Sequence, residues 1–205
     1  KWLVTPKIIA HRGVTRNDQE NTLPAYYQAF SEGADGLEID VRLSKDKKPI
    51  IFHDEDTSRL FKKSLEIKNT TFFELEALGN NENRIPLLDE VLDFLPQNKE
   101  CFIEIKSDAN TVPFLDKLRI EKKNITFLSF DKNVVLALKK RFPNKLVFQN
   151  FHMLQIERYG IKKILEFYKN GNSDGLSIDI RGLSNKTIDK ICLLYTSPSP
   201  RDSDQ

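Results

Sequence analysis

Short apolar runs alternate with helix-like segments along almost the whole chain, and this alternation restricts the fold more than any other property of the sequence. The runs are Lys7 to His11, Gly36 to Leu43, Cys101 to Lys106, Ile125 to Phe130, Leu146 to Gln149 and Asp174 to Ile180. Each is short and rich in branched or aromatic residues, as a buried strand requires. Glu20-Asn21-Thr22 precedes Leu23 to Phe30, a helix that Thr22 or Asn21 can cap, with Pro24 in its first turn and Gly33 as its stop. Further helices are expected over Thr71 to Leu78, Ile85 to Leu95, near Val112 to Lys122, Lys132 to Arg141 capped by Asp131, Leu154 to Tyr168 ended by Gly171, and Ser184 to Leu194. Asp56 to Arg84 reads as a polar connection carrying only the first of these. Strand and helix in repetition predict a parallel α/β sheet or barrel, where functional side chains collect at the C-terminal strand ends.

A chain of 205 residues suits one domain with a real core. Its formal charge of +2 gives no reason to expect nucleic acid or an anionic membrane surface as partner. Cys101 and Cys192 lie inside apolar runs without metal-ligand spacing and read as buried free thiols. No apolar run approaches the roughly 20 residues of a membrane span, and Lys1-Trp-Leu-Val lacks a signal-peptide pattern, so a cytoplasmic location is expected unless a leader was removed ahead of Lys1. Residues 195–205, rich in Ser, Pro and Asp, have neither periodicity nor strand composition and are expected to be a disordered tail after a domain spanning 1–194.

The richest stretch runs from Gly36 to Asp54. Alternation along a strand puts Glu38 and Asp40 on one face and Leu37, Ile39 and Val41 on the other. Pro49 to His53 reads as a second strand, and the connector Ser44 to Lys48 is too short for a parallel crossover, so the two strands must form a hairpin. A turn near Asp46 and Lys47 returns His53 to within one or two residues of Asp40. Acidic residues on half-exposed strands are mostly solvated, so the company they keep decides. His11-Arg12-Gly13 leaves one strand end, and Glu104 and Lys106 share a face at another.

Taken together, His11-Arg12-Gly13, Glu20-Asn21-Thr22, Glu38-x-Asp40-Val41, His53-Asp54 and Glu104-x-Lys106 resemble the glycerophosphodiester phosphodiesterase family, in its motif order, over residues 7 to about 180. The resemblance implies a TIM-type (β/α) barrel of the phospholipase-C-like kind. It implies that Glu38, Asp40 and Glu104 bind one Mg²⁺ or Ca²⁺, since hard carboxylates suit an oxygen-preferring cation. It also implies that Arg12 and Lys106 contact the substrate phosphate. His11 and His53 would be the acid and base, their individual assignment open. Glu20, Asn21 and Asp54 would support the site, while His152 falls outside any motif and is expected to be structural.

The implied reaction is hydrolysis of a small glycerophosphodiester to an alcohol and sn-glycerol 3-phosphate, begun by water or by the neighbouring glycerol hydroxyl. The family's closing strands, a Trp-Thr-Val-Asn pattern and a Gly-Val-Asp-Gly strand, have no counterpart here; Trp2 is the sole tryptophan. Six barrel strands plus the hairpin strand are counted, so the expected architecture is a barrel truncated after about six strands. Two alternatives remain beside the hydrolase: an inactive barrel that binds metal and phosphate, and a lysophospholipase-D-like phosphodiesterase.

Overall fold

The structure is a computed structural model that describes residues 7–16, 18–116, 118 and 120–178. Strands β1 (Ile9–His11), β2 (Gly36–Leu43), β4 (Glu100–Ile105), β5 (Asn124–Ser129), β6 (Leu146–Phe151) and β7 (Gly175–Ile178) form a parallel sheet in the order β1-β2-β4-β5-β6-β7. β3 (Pro49–Ile51) pairs antiparallel with β2, as a hairpin requires. Six parallel strands and one hairpin strand are what the alternation predicted. The expected helix at Ser184 to Leu194, the tail at 195–205 and Cys192 lie outside the described residues.

Helices α1 (Leu23–Ser31), α3 (Leu88–Phe94) and α4 (Lys132–Arg141) pack on one face of the sheet. Strand alternation supplies that face with Leu37, Ile39 and Val41 from β2, Cys101, Ile103 and Ile105 from β4, Ile125 and Phe127 from β5, and Val147 from β6. Against them lie Tyr26, Ala29, Leu88, Val91, Leu92, Val134, Val135 and Leu138, and this is the main core. The opposite face carries the acidic residues. Cys101 is buried and unbridged, and burial raises its thiol pKa.

Four expectations need correction. The stretch Val112 to Lys122 is not one α-helix but two 3-10 segments, Ala109–Leu115, which contains Pro113, and Ile120–Lys122. Helix α3 begins at Leu88 rather than near Ile85, because Ile85 to Leu87 stay extended: Leu87 bridges Ile50, and Ile51 N donates to Pro86 O at 2.9 Å. The helix expected over Leu154 to Tyr168, α5 (Met153–Lys169), is two helical stretches, since Gly160 takes the left-handed φ of 73° with ψ 148°. The segment after the hairpin is more than a polar connection: Ile50, Phe52, Phe61, Ile67, Phe72, Leu75 and Ile85 build a second, smaller core around α2 (Phe72–Glu76).

Caps follow the sequence. Thr22 accepts from Ala25 N, Thr71 forms a reciprocal capping box with Glu74, and Asp131 accepts from Asn133 N.

Phe127 is fully buried in the main core, its ring centroid 5.2 Å from that of Phe142. Phe127→Ala is expected to destabilise the protein by about 3–5 kcal/mol, read as a lower urea midpoint at unchanged slope.

Candidate active site

β2 is the pedestal of the site. Glu38 and Asp40 point away from the main core, and the parallel register sets Asp40 directly beside Glu104 of β4. One carboxylate oxygen from each of Glu38, Asp40 and Glu104 lies within 4.8 Å of the other two. Asp40 is fully buried and Glu104 nearly so. The buried atoms Glu38 Oε2 and Asp40 Oδ1 have no hydrogen-bond partner among the described residues. Burial, followed by the nearby charges of Asp40 and Glu104, pushes the Glu38 pKa up to about 8. Three converging carboxylates with unsatisfied oxygens fit a hard divalent cation, which takes oxygen ligands and removes the repulsion among them.

Two cations face the same cluster. Lys106 Nζ donates to Glu104 Oε1 at 2.9 Å and lies 3.6 Å from Asp40 Oδ1. Arg12 Nε lies 3.0 Å from Asp40 Oδ2 as an ion pair, without the alignment of a hydrogen bond, and Arg12 Nη1 donates to Glu20 Oε1 at 3.1 Å. Asp40 Oδ2 also accepts from Asn21 Nδ2 at 2.8 Å, and Tyr26 OH donates to Asn21 Oδ1 at 2.9 Å. Of the two possible caps for α1, Thr22 takes that task and leaves Asn21 to orient Asp40.

Both histidine-bearing segments are clipped to the backbone of β2. Arg12 N donates to Glu38 O, and Phe52 N donates to Asp40 O, each at 2.9 Å. Phe52 stands opposite Asp40 and His53 one residue on, within the expected range, but β3 ends at Ile51 rather than His53, so His53 sits in a bend beyond the strand. The hairpin turn is likewise one residue earlier than expected, at Lys45 and Asp46, with Lys47 at φ 62°.

His11 Nε2 lies 3.7 Å from Glu38 Oε2. Its pKa is lowered, first by partial loss of water around the ring and then by Arg12. His53 Nδ1 is 2.6 Å from Asp54 Oδ1, and Arg42 Nε donates to the His53 carbonyl at 2.8 Å. Partial burial would raise the Asp54 carboxyl, but hydrogen bonds from Arg59 and His53 outweigh it and hold the pKa below the usual range. Gly13 is required at its place: its φ is 87°, and a Cβ would come within 2.8 Å of the Ala25 backbone. Arg12 and Asn21 also have left-handed φ values, 60° and 59°, so strain gathers where the loop meets β2.

Thus the structure brings together Glu38, Asp40, Glu104, Arg12, Lys106, His11, Asn21 and Glu20, with His53 and Asp54 on the adjoining bend. Sequence reasoning missed Tyr26 and Arg59. Tyr26 reads as one more apolar helix position, and only its fully buried hydroxyl distinguishes it. Arg59 donates to both Asp54 and Glu20; nothing in the local pattern marks it. Beside the site, a cleft of about 210 Å³ is lined by Lys106, Asp108, Phe130 and Asp131, among others. His152, at the N-terminus of α5, stacks on Phe130 with ring centroids 3.8 Å apart.

Residues 11–172 match the model of the glycerophosphoryl diester phosphodiesterase family. The chain belongs to this family. A glycerophosphodiester phosphodiesterase from Bacillus altitudinis is 37% identical over 49% of this chain and 44% of its own length. The chain spans about half the length of the curated relatives it matches first. The crystal structure of the Thermotoga maritima glycerophosphodiester phosphodiesterase superposes with a TM-score of 0.72 at 32% identity, covering 84% of this chain and 74% of that one. An Oleispira antarctica phosphodiesterase in complex with sn-glycerol-3-phosphate gives a TM-score of 0.80 at 25% identity, covering 92% and 81%. The parallel sheet is therefore the wall of a family barrel of the TIM type, with the acidic cluster on its inner side. Among the described residues no helix is long and apolar enough to cross a membrane.

Two measurements follow from this geometry. Because the Glu38 pKa is about 8 when folded against an ordinary 4.5, the unfolded chain binds fewer protons between these values. Stability of the EDTA-treated protein is expected to fall as pH rises through that window, and the gap in melting temperature between EDTA and saturating Ca²⁺ to widen. Tyr26→Phe leaves Asn21 Oδ1 buried without its donor, and is expected to cost about 1–3 kcal/mol in urea unfolding.

Proposed function

We propose that this chain hydrolyses glycerophosphodiesters to an alcohol and sn-glycerol 3-phosphate, with one divalent cation, Mg²⁺ or Ca²⁺, held by Glu38, Asp40 and Glu104. The observation that carries the reading is the meeting of these three carboxylates with two cationic and two imidazole side chains, along β2, at the C-terminal ends of β1 and β4 and on the adjoining bend. When bound, such a cation would polarise the phosphoryl oxygens and offset charge that builds at five-coordinate phosphorus.

The chain's own residues supply the rest. Arg12 presents a planar donor fork to the phosphoryl oxygens and Lys106 a point charge, so a phosphodiester is attracted to a site its carboxylates alone would repel. The attacking oxygen, from water or the adjacent glycerol hydroxyl, must lose a proton, and the departing alkoxide must gain one. His11 is suited to accept the first, since shielding and Arg12 favour its neutral form. His53 is placed to donate the second, because Asp54 Oδ1, 2.6 Å from Nδ1, holds the ring and leaves Nε2 to face the departing oxygen. Glu20 and Asn21 hold Arg12 and Asp40 respectively. The family likeness and the product named for the Oleispira phosphodiesterase support glycerol 3-phosphate as the retained fragment.

The assay is release of glycerol 3-phosphate from glycerophosphocholine with Mg²⁺ or Ca²⁺. Turnover by the wild type is expected, and its absence with either ion at high protein concentration would sink the proposal. His11→Ala and His53→Ala should each lower kcat by about 10²–10⁴-fold, and Glu38→Ala should abolish cation-dependent turnover, all with unchanged far-UV circular dichroism.

A further inference from the structure

We propose that Arg59 is a positioning residue for this hydrolysis, the link that keeps His53 and Arg12 in a single arrangement; the inference rests on the phosphodiesterase reading above. All three nitrogens of its guanidinium are engaged. Nε donates to Asp54 Oδ2 at 2.5 Å, while Nη1 and Nη2 donate to Glu20 Oε2 at 3.1 Å and Oε1 at 2.6 Å. The other Asp54 oxygen meets His53 Nδ1 at 2.6 Å, and Glu20 Oε1 also accepts from Arg12 Nη1. The result is an unbroken chain of contacts from His53 through the alternating charges of Asp54, Arg59, Glu20 and Arg12 to Asp40.

The link is needed because of where the two functional segments begin. His11-Arg12 leaves β1 and His53-Asp54 leaves β3, two strands that share an edge of β2 but do not pair with each other. Their backbones are clipped to β2 separately, and nothing in the ladder sets one side chain against the other. Arg59 does so across 39 residues of sequence from Glu20. With Asp54 ionised and shared between the two donors, Nδ1 keeps its proton whether or not Nε2 carries one, so Nε2 is the atom that delivers the proton to the leaving oxygen. A guanidinium offers Nε to one carboxylate and its two Nη atoms to the other at fixed angles, a geometry the single nitrogen of an ammonium does not reproduce.

Arg59 does not fold the loop that bears it. Its side chain is 46% exposed, so its ion pairs add little to stability. The loop is instead tied down by Phe61 N donating to Thr57 O and by Phe61 in the smaller core.

The test compares wild type, Arg59→Gln and Arg59→Lys, each saturated with Mg²⁺ or Ca²⁺, by turnover of glycerophosphocholine and by ¹⁵N NMR of the His53 ring. Arg59→Gln is expected to lower kcat by about 10–100-fold, with KM changing less, and to turn a single Nδ1-protonated His53 signal into a tautomer mixture. Arg59→Lys should recover only part of both. Asp54→Asn should cost much less in the Arg59→Gln background than in wild type, because the two act as a unit. Unchanged kcat, an unchanged His53 spectrum, or unfolding of Arg59→Gln would each overturn the proposal, the last by assigning Arg59 a structural role. If the wild type itself releases no glycerol 3-phosphate, the hydrolase reading fails and the His53 spectrum alone decides: a mixture upholds the link, a single tautomer refutes it.

Discussion

Three carboxylates are held at one end of a parallel sheet against only two cations, and the rest of the site is arranged around that imbalance. Lys106 and Arg12 reach Glu104 and Asp40, and the ion-pair partner of Glu38 among the described residues is the His11 ring, 3.7 Å away. In water such a cluster would spread apart. Here it cannot, because Glu38 and Asp40 are two residues apart on a strand whose other face is locked into the main core by Leu37, Ile39 and Val41. The strain appears as a carboxyl that holds its proton far above the ordinary range, and a divalent cation bound there would relieve it. Stability of the core thus maintains an acidic site that local electrostatics would disperse.

β2 does two things at once. Its side chains supply the acidic ligand candidates, and its carbonyls at Glu38 and Asp40 receive the amides of Arg12 and Phe52. The loop after β1 and the bend after β3 are therefore registered against the same two residues that carry the carboxylates. A parallel neighbour along one half of an edge and an antiparallel hairpin along the other half make this possible. The arrangement needs no long-range adjustment, since each histidine is a residue or less from a backbone hydrogen bond to the pedestal.

The smaller core around α2 gives the segment after the hairpin a purpose beyond connection. It fixes Phe61 and Ile67 under the loop that holds Arg59, so an exposed side chain works from a rigid base. The fully buried hydroxyl of Tyr26 plays a comparable part from the other side, orienting Asn21 and through it Asp40. Both are polar contacts placed by apolar packing.

Much of this was legible in the chain itself. Strand alternation alone assigned Glu38 and Asp40 to the face opposite Leu37, Ile39 and Val41, and the short connector after Leu43 required the hairpin, because period and chain length are local quantities. The motif residues identified the family. Local reasoning failed where a neighbour overrode it: the pairing of Leu87 with Ile50 held three residues out of α3. Register at His53 was legible only to within one or two residues, because pairing is decided by backbone hydrogen bonds to β2, which no periodicity encodes. The partnership of Arg59 with Glu20 and Asp54, and of Tyr26 with Asn21, could come only from the tertiary structure. Those contacts join segments that are separate in sequence, or pick one hydroxyl among apolar positions, and only packing in three dimensions brings the charges within reach.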